Sequence, residues 1–107
     1  VEHLGVKHIL VMGHRECGAI KAFVEGGNPP GHIRDIVDSI RAEQEIRKIP
    51  GNDKNLLEDC IQANILHGIH QLKKQSALID EKYRKGELQI HGACYDLARG
   101  NVTLIRE

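Results

Sequence analysis

The amino-acid sequence predicts an α/β fold: a partial parallel sheet flanked by helices and finished by a C-terminal edge hairpin. Three patterns carry that reading. Residues 6–12 (VKHILVM) are a short apolar run rich in Val and Ile, the signature of a strand buried on both faces of a parallel sheet. Gly13 breaks the run. From Cys17 the apolar spacing turns helical through Ala19, Ile20, Phe23 and Val24, so residues 6–25 make a strand–turn–helix unit. A block of helical periodicity follows, and then two further strand-like runs.

Each later element has its own signal. Gly26-Gly27 stops the first helix, and the loop Asn28-Pro29-Pro30-Gly31 follows. Ile33, Ile36, Val37, Ile40 and Ile46, interleaved with charges, predict one amphipathic helix over residues 32–49, ended near Pro50-Gly51. Within it, Arg41/Glu45 and Glu43/Arg47 set opposite charges at helix-neighbour spacing, the pattern of a solvated face. Asn52 or Asp53 is the expected cap of a longer helix carrying Leu56, Leu57, Cys60, Ile61, Asn64, Ile65, Gly68, Ile69 and Leu72. Ser76 caps a shorter helix through Tyr83, ended at Gly86. Residues 87–95 (ELQIHGACY) alternate as a strand, and Arg99-Gly100-Asn101 turns the chain into a last strand over 102–105. Only one strand precedes the helices, and residues 1–4, stopped at Gly5, read as the end of a helix. The expectation is one domain, residues 1–107, truncated at its N-terminal side.

Composition removes several classes of function. The 15 basic and 15 acidic residues cancel, leaving no field to attract nucleic acid or an anionic membrane surface. Phe23, Tyr83 and Tyr95 are too few aromatics for a base-stacking platform. No apolar run approaches the ~20 residues that span a bilayer, and the first residues are not a secretory signal. Cys17, Cys60 and Cys94 are odd in number and widely spaced, which argues against a disulfide framework and for a reducing, cytoplasmic setting.

The chemistry concentrates in Gly13-His14-Arg15-Glu16-Cys17-Gly18, at the carboxyl end of the first strand, where open α/β sheets bind ligands. Imidazole nitrogen and thiolate are the commonest zinc ligands, and a three-residue offset across a tight turn can aim both at one ion. The helix N-terminus favours negative charge at Cys17, and Gly18 would let the helix start without crowding the site. From spacing alone, a turn histidine beside a core cysteine remains open.

Residues 6–22, VKHILVMGHRECGAIKA, resemble the second zinc-binding motif of β-class carbonic anhydrases: a hydrophobic strand, G-H-x-x-C-G, then a small-residue helix with a lysine. Residues 84–96 (RKGELQIHGACYD) resemble the family's closing G-x-L-x-(aliphatic)-H-G strand and Y-D pair, and the helix around Asn64 resembles the one before it. The resemblance implies reversible hydration of carbon dioxide to bicarbonate, with Zn2+ held by His14 and Cys17 and Gly18 against the substrate. It also implies a homodimer or higher homo-oligomer. The family's third ligand and its catalytic Asp/Arg pair belong to an upstream C-x-D-x-R motif, which these 107 residues do not contain. On this reading the catalytic residues lie outside the chain, and the chain alone is not expected to turn over. Arg15 replaces a small hydroxyl residue, and Ala93-Cys94 a Trp-aliphatic pair. The alternative is a non-catalytic carbonic-anhydrase-like module serving interaction or assembly.

Other candidates read more simply as structure. Cys60 falls on the core face of its helix, and Cys94 packs on a sheet face. His67 and His70 have metal-compatible spacing but no adjacent glutamate. His91 resembles the family's structural histidine in its H-G strand and need not be a ligand, and His8 and His32 have no nameable partner. The turn at residues 13–18 lacks the glycine spacing and lysine of a phosphate loop.

Overall fold

The computed structural model describes residues 1–27 and 29–105. The apolar run forms strand β1, His8–His14, so His14 closes the strand instead of lying beyond it. Helix α1 (Gly18–Glu25) follows, with Cys17 at its N-cap and Gly26 ending it at φ 76°, a left-handed conformation that suits glycine. Then come α2 (Gly31–Arg41), α3 (Gln44–Arg47), α4 (Leu56–Gln75) and α5 (Ala77–Arg84), and the strands β2 (Gln89–Asp96) and β3 (Asn101–Ile105). The sheet order is β1-β2-β3. β1 pairs parallel with β2, from His8 opposite Gln89 to His14 opposite Tyr95. β2 pairs antiparallel with β3, from Gly92 opposite Ile105 to Asp96 opposite Asn101. The predicted α/β class, the parallel pairing and the edge hairpin all appear.

Helix α4 is the spine of the packing. Its Ile65 and Ile69 are 2% and 0% exposed and press on the sheet. A Cβ placed on Gly13 would lie 2.8 Å from Ile65 Cδ1 and Cγ1, and one on Gly92 3.1 Å from Ile65 Cγ2. The two glycines therefore let the helix approach the sheet more closely than any side chain would allow. One core cluster joins Ile65 to Ile20, Ile40, Ile46, Cys60, Ile61 and Ala63, and a second joins Ile69 to Leu88 and Ile90. Each such aliphatic side chain removed from water contributes about 1.5–3 kcal/mol.

Five expectations need correction. β1 is buried on one face only: Ile9, Val11 and Gly13 are sheltered, whereas Leu10 and Met12 are each 50% exposed. The reason is that α4 covers one side of the sheet, and on the other Leu10, Met12, Val102 and Leu104 meet solvent. The helix predicted over residues 32–49 is two, α2 and α3, broken at Ala42-Glu43. There Glu43 turns inward, 6% exposed, and both its carboxylate oxygens accept hydrogen bonds from the Asn64 amide at 3.0 and 2.9 Å. The solvated-face pairs consequently do not form: Arg41 binds Asp38 at 3.0 Å, and Glu45 turns to α4. Finally, α4 starts after Asn55, without a side-chain cap, and residues 2–4 form a turn.

Candidate metal centre

Strand alternation sorts the residues at the end of β1. Gly13 faces α4, so His14 points to the open side of the sheet and Arg15 returns toward α4. His14 is exposed, and its Nδ1 lies 3.1 Å from the Arg15 carbonyl oxygen. The tautomer that satisfies this contact carries its proton on Nδ1 and donates it to the carbonyl. The Nε2 lone pair is then left for a metal.

Cys17 is the N-cap of α1, its thiol makes no capping hydrogen bond, and it packs half-buried against the cluster of Ile20 and Ile61. Gly18 is the exposed first residue of α1, and a Cβ there would meet nothing within 4 Å. Within this chain, then, no crowding requires a glycine at 18. His14 and Cys17 are thus three residues apart across the Arg15-Glu16 turn, with His14 Nε2 and the Cys17 thiol uncommitted to other described residues. Among the described residues no group of three or more His, Cys, Asp or Glu is disposed to hold a metal ion. The donor chemistry fits zinc as far as it goes: one imidazole and one thiolate.

The α4 side of the same turn is ionic. The Arg15 N–H donates to the Tyr95 carbonyl at 2.8 Å. Its guanidinium binds Glu58 through Nη2 and approaches Asp96 Oδ2 at 3.6 Å through Nη1. These groups line a cleft of about 460 Å³ with Cys94, Arg99, Asn101 and Thr103. Burial pushes the Cys94 thiol up, and the nearby Arg15 charge only partly offsets this. Arg15 therefore spends its charge on carboxylates away from the His14 face.

Sequence spacing missed a second polar cluster. His67 and His70 do have a glutamate: Glu45 of α3 accepts from His67 Nδ1 at 2.8 Å and from His70 Nδ1 at 2.7 Å. Partial burial alone would raise the Glu45 carboxyl, but the hydrogen bonds from His70 and His67 outweigh it and hold it down to about 2. Burial also raises the Glu43 carboxyl, against the pull of the Asn64 hydrogen bonds. The chain separation of 22 and 25 residues hides this cluster from any local pattern. Cys60, 1% exposed, is core as expected, with its thiol pushed up by burial. His8 and His91, assigned no partner and a structural role, stack on each other with ring centroids 5.7 Å apart. His32 lies 3.6 Å from Asp35.

The carbonic anhydrase family profile matches residues 1–102. Among curated proteins, the chain is 31% identical over 105 residues to a carbonic anhydrase of Mycolicibacterium smegmatis, covering 94% of this chain and 50% of that protein. It is 30% identical over 102 residues to the chloroplastic beta carbonic anhydrase 5 of Arabidopsis thaliana, covering 90% of this chain and 34% of that one. Among solved structures, a tetrameric β-carbonic anhydrase of Sordaria macrospora superposes with TM-score 0.76 at 25% identity, covering 98% of this chain and 55% of that chain. CafA, a β-carbonic anhydrase of Aspergillus fumigatus, superposes with TM-score 0.76 at 24% identity, over 98% and 51% of the two chains. The chain spans 50% of the Mycolicibacterium relative's length and 34% of the Arabidopsis one's.

Proposed function

This chain belongs to the β-carbonic anhydrase family, and from that premise we propose that it forms the His14/Cys17 half of a zinc centre that interconverts carbon dioxide and bicarbonate. The observation that carries the reading is the placement of two uncommitted donors at one strand end: His14 closing β1 and Cys17 opening α1. When bound there, zinc would activate water toward carbon dioxide at neutral pH.

The chain's own residues do the holding and orienting. The Arg15 carbonyl fixes the His14 ring and tautomer, so that Nε2 is the ligand atom. The N-terminus of α1, where Cys17 is the N-cap, suits an anionic ligand atom. Gly18, with open space above its Cα, leaves room for substrate beside the two ligands. A catalytic zinc site takes three protein ligands and keeps one open position. We therefore place the third ligand, and the Asp/Arg pair that acts with it, outside residues 1–107, which would make this one domain only together with those residues.

Assembly as a homodimer or larger oligomer follows from the same picture. The parallel β1–β2 pair carries Leu10, Met12, Val102 and Leu104 on an uncovered face, whereas parallel sheets are ordinarily covered on both. The free state of Cys17, Cys60 and Cys94 suits a reducing compartment, and we assign the protein to the cytoplasm. No helix among the described residues is long and apolar enough to cross a membrane.

Zinc content and stopped-flow carbon dioxide hydration test the proposal. The 107-residue chain alone should hold far less than one zinc and show no turnover. Joined to a segment carrying C-x-D-x-R, it should bind one zinc and turn over, and His14→Ala or Cys17→Ala should abolish both. Zinc-dependent turnover by the chain alone would refute the half-site. Failure of the joined protein to bind zinc would favour the non-catalytic assembly module.

A further inference from the structure

We propose that Arg15 is a positioning residue, which holds the His14–Cys17 turn in register by bridging Glu58 of α4 and Asp96 at the end of β2. The proposal rests on the reading of His14 and Cys17 as ligands, but its deciding measurement does not need metal.

Arg15 stands between the two donors and is tied at both its backbone and its side chain. Its N–H continues the β1–β2 ladder to the Tyr95 carbonyl at 2.8 Å. Its guanidinium reaches Glu58 and, at 3.6 Å, Asp96. Asp96 is itself anchored, because Oδ1 accepts the Ala98 and Arg99 N–H groups at 3.0 and 3.3 Å, and its side chain is only 13% exposed. Glu58 belongs to the first turn of α4, where a carboxylate is favoured. One side chain therefore ties the turn to a helix and a hairpin at once, with Nη2 toward Glu58 and Nη1 toward Asp96, a spread of fixed donors that the single nitrogen of a lysine lacks.

The turn needs such a tie. Glu16, immediately before Cys17, sits at φ 58°, and it is the non-glycine residue with a left-handed backbone among those described. Strained conformations of this kind persist only where the surroundings over-determine them. The Glu16 side chain offers little, since its ion pair with Lys21 at 3.1 Å is largely exposed on both sides. The constraint falls to Arg15. Because Arg15 and Glu58 are themselves about half exposed, their pairing adds little to global stability. The effect of losing it should appear in the geometry of the turn.

The test compares wild type with Arg15→Ala, Arg15→Lys and Glu58→Gln. The first readout is the rate of iodoacetamide alkylation at each cysteine of the metal-free protein, resolved by mass spectrometry. The second is zinc affinity and the thiolate-to-cobalt absorption band of the protein joined to its third ligand. Arg15→Ala should raise the Cys17 rate several-fold, leave buried Cys60 unchanged, and weaken zinc binding by roughly 10–100-fold. Losing a nearby positive charge would by itself slow a thiol, so a faster Cys17 reports the freed turn. Arg15→Lys should fall between wild type and Arg15→Ala, and Glu58→Gln should move the same way. Cys17 rates within about twofold of wild type in Arg15→Ala would overturn the proposal, as would equal acceleration at Cys60, which marks general loosening. If wild type binds no metal through His14 and Cys17, the zinc reading fails, and the Cys17 rates still decide the role of Arg15.

Discussion

Replacing Gly13 with alanine should force α4 away from the strand that carries His14. The new Cβ would sit 2.8 Å from both Cδ1 and Cγ1 of Ile65, about 1 Å inside the optimum carbon–carbon separation. Ile65 is 2% exposed within the main core cluster, so it has no free volume to retreat into. Overpacking of this kind costs about 1–3 kcal/mol. Alanine returns about 0.5–1 kcal/mol of the strand penalty of glycine, because Gly13 has no positive φ to protect. The net expectation is a loss centred near 1 kcal/mol, within a range of about 0–2.5 kcal/mol, with Tm falling roughly 4–8 °C for each kcal/mol lost. Urea unfolding followed by circular dichroism measures it, and a cycle with Ile65→Ala identifies its cause. Ile65→Ala alone should cost about 2–5 kcal/mol. It also removes both clashing atoms, so the double variant should be no less stable than Ile65→Ala. Additivity of the two within about 0.5 kcal/mol would refute the clash.

The other predictions concern the polar groups that α4 gathers and the helix that follows. Asn64→Leu strips the buried Glu43 carboxylate of both hydrogen bonds and should cost about 2–3 kcal/mol in urea unfolding. Glu43 titrates above its ordinary value when folded. Its contribution is therefore full below the unfolded value of 4.5 and fades as pH rises through the raised one, and Glu43→Gln should flatten that part of the pH–Tm curve. Glu45 has the opposite sign, being held at about 2 against 4.5 when unfolded. Its stabilisation is present above 4.5 and is lost as pH falls from there toward 2. Glu45→Gln should cost about 1–2 kcal/mol at neutral pH and converge on wild type near the acid end. Ser76→Ala removes the oxygen that accepts the Ile79 N–H at 3.2 Å and should cost about 1 kcal/mol, read as earlier thermal unfolding.

Features that depend on near neighbours were legible in the residues alone. Ser76 announces α5, Gly26 and Gly86 end their helices, the turn at Gly100 makes the hairpin, and the apolar run makes β1. The G-H-x-x-C-G segment likewise marked the end of β1 and the start of α1, because a strand, a turn and a helix start are local events. What escaped depends on groups far apart in the chain. The break between α2 and α3 follows from Glu43 reaching Asn64, 21 residues away. The partner of His67 and His70 is a glutamate on another helix. The one-sided burial of β1 follows from where α4 lies, since an apolar run shows that a strand prefers burial but not which of its faces is covered.

His14 and Cys17 are a property of the sequence, and so is membership of the family. That Gly13 must be bare for Ile65, and that Arg15 turns toward Glu58 and Asp96 while His14 faces the open side of the sheet, was decided only when the tertiary structure set α4 against the sheet. Covalent order sets which groups are neighbours along the chain, whereas packing alone sets which distant groups share a volume too small for another atom.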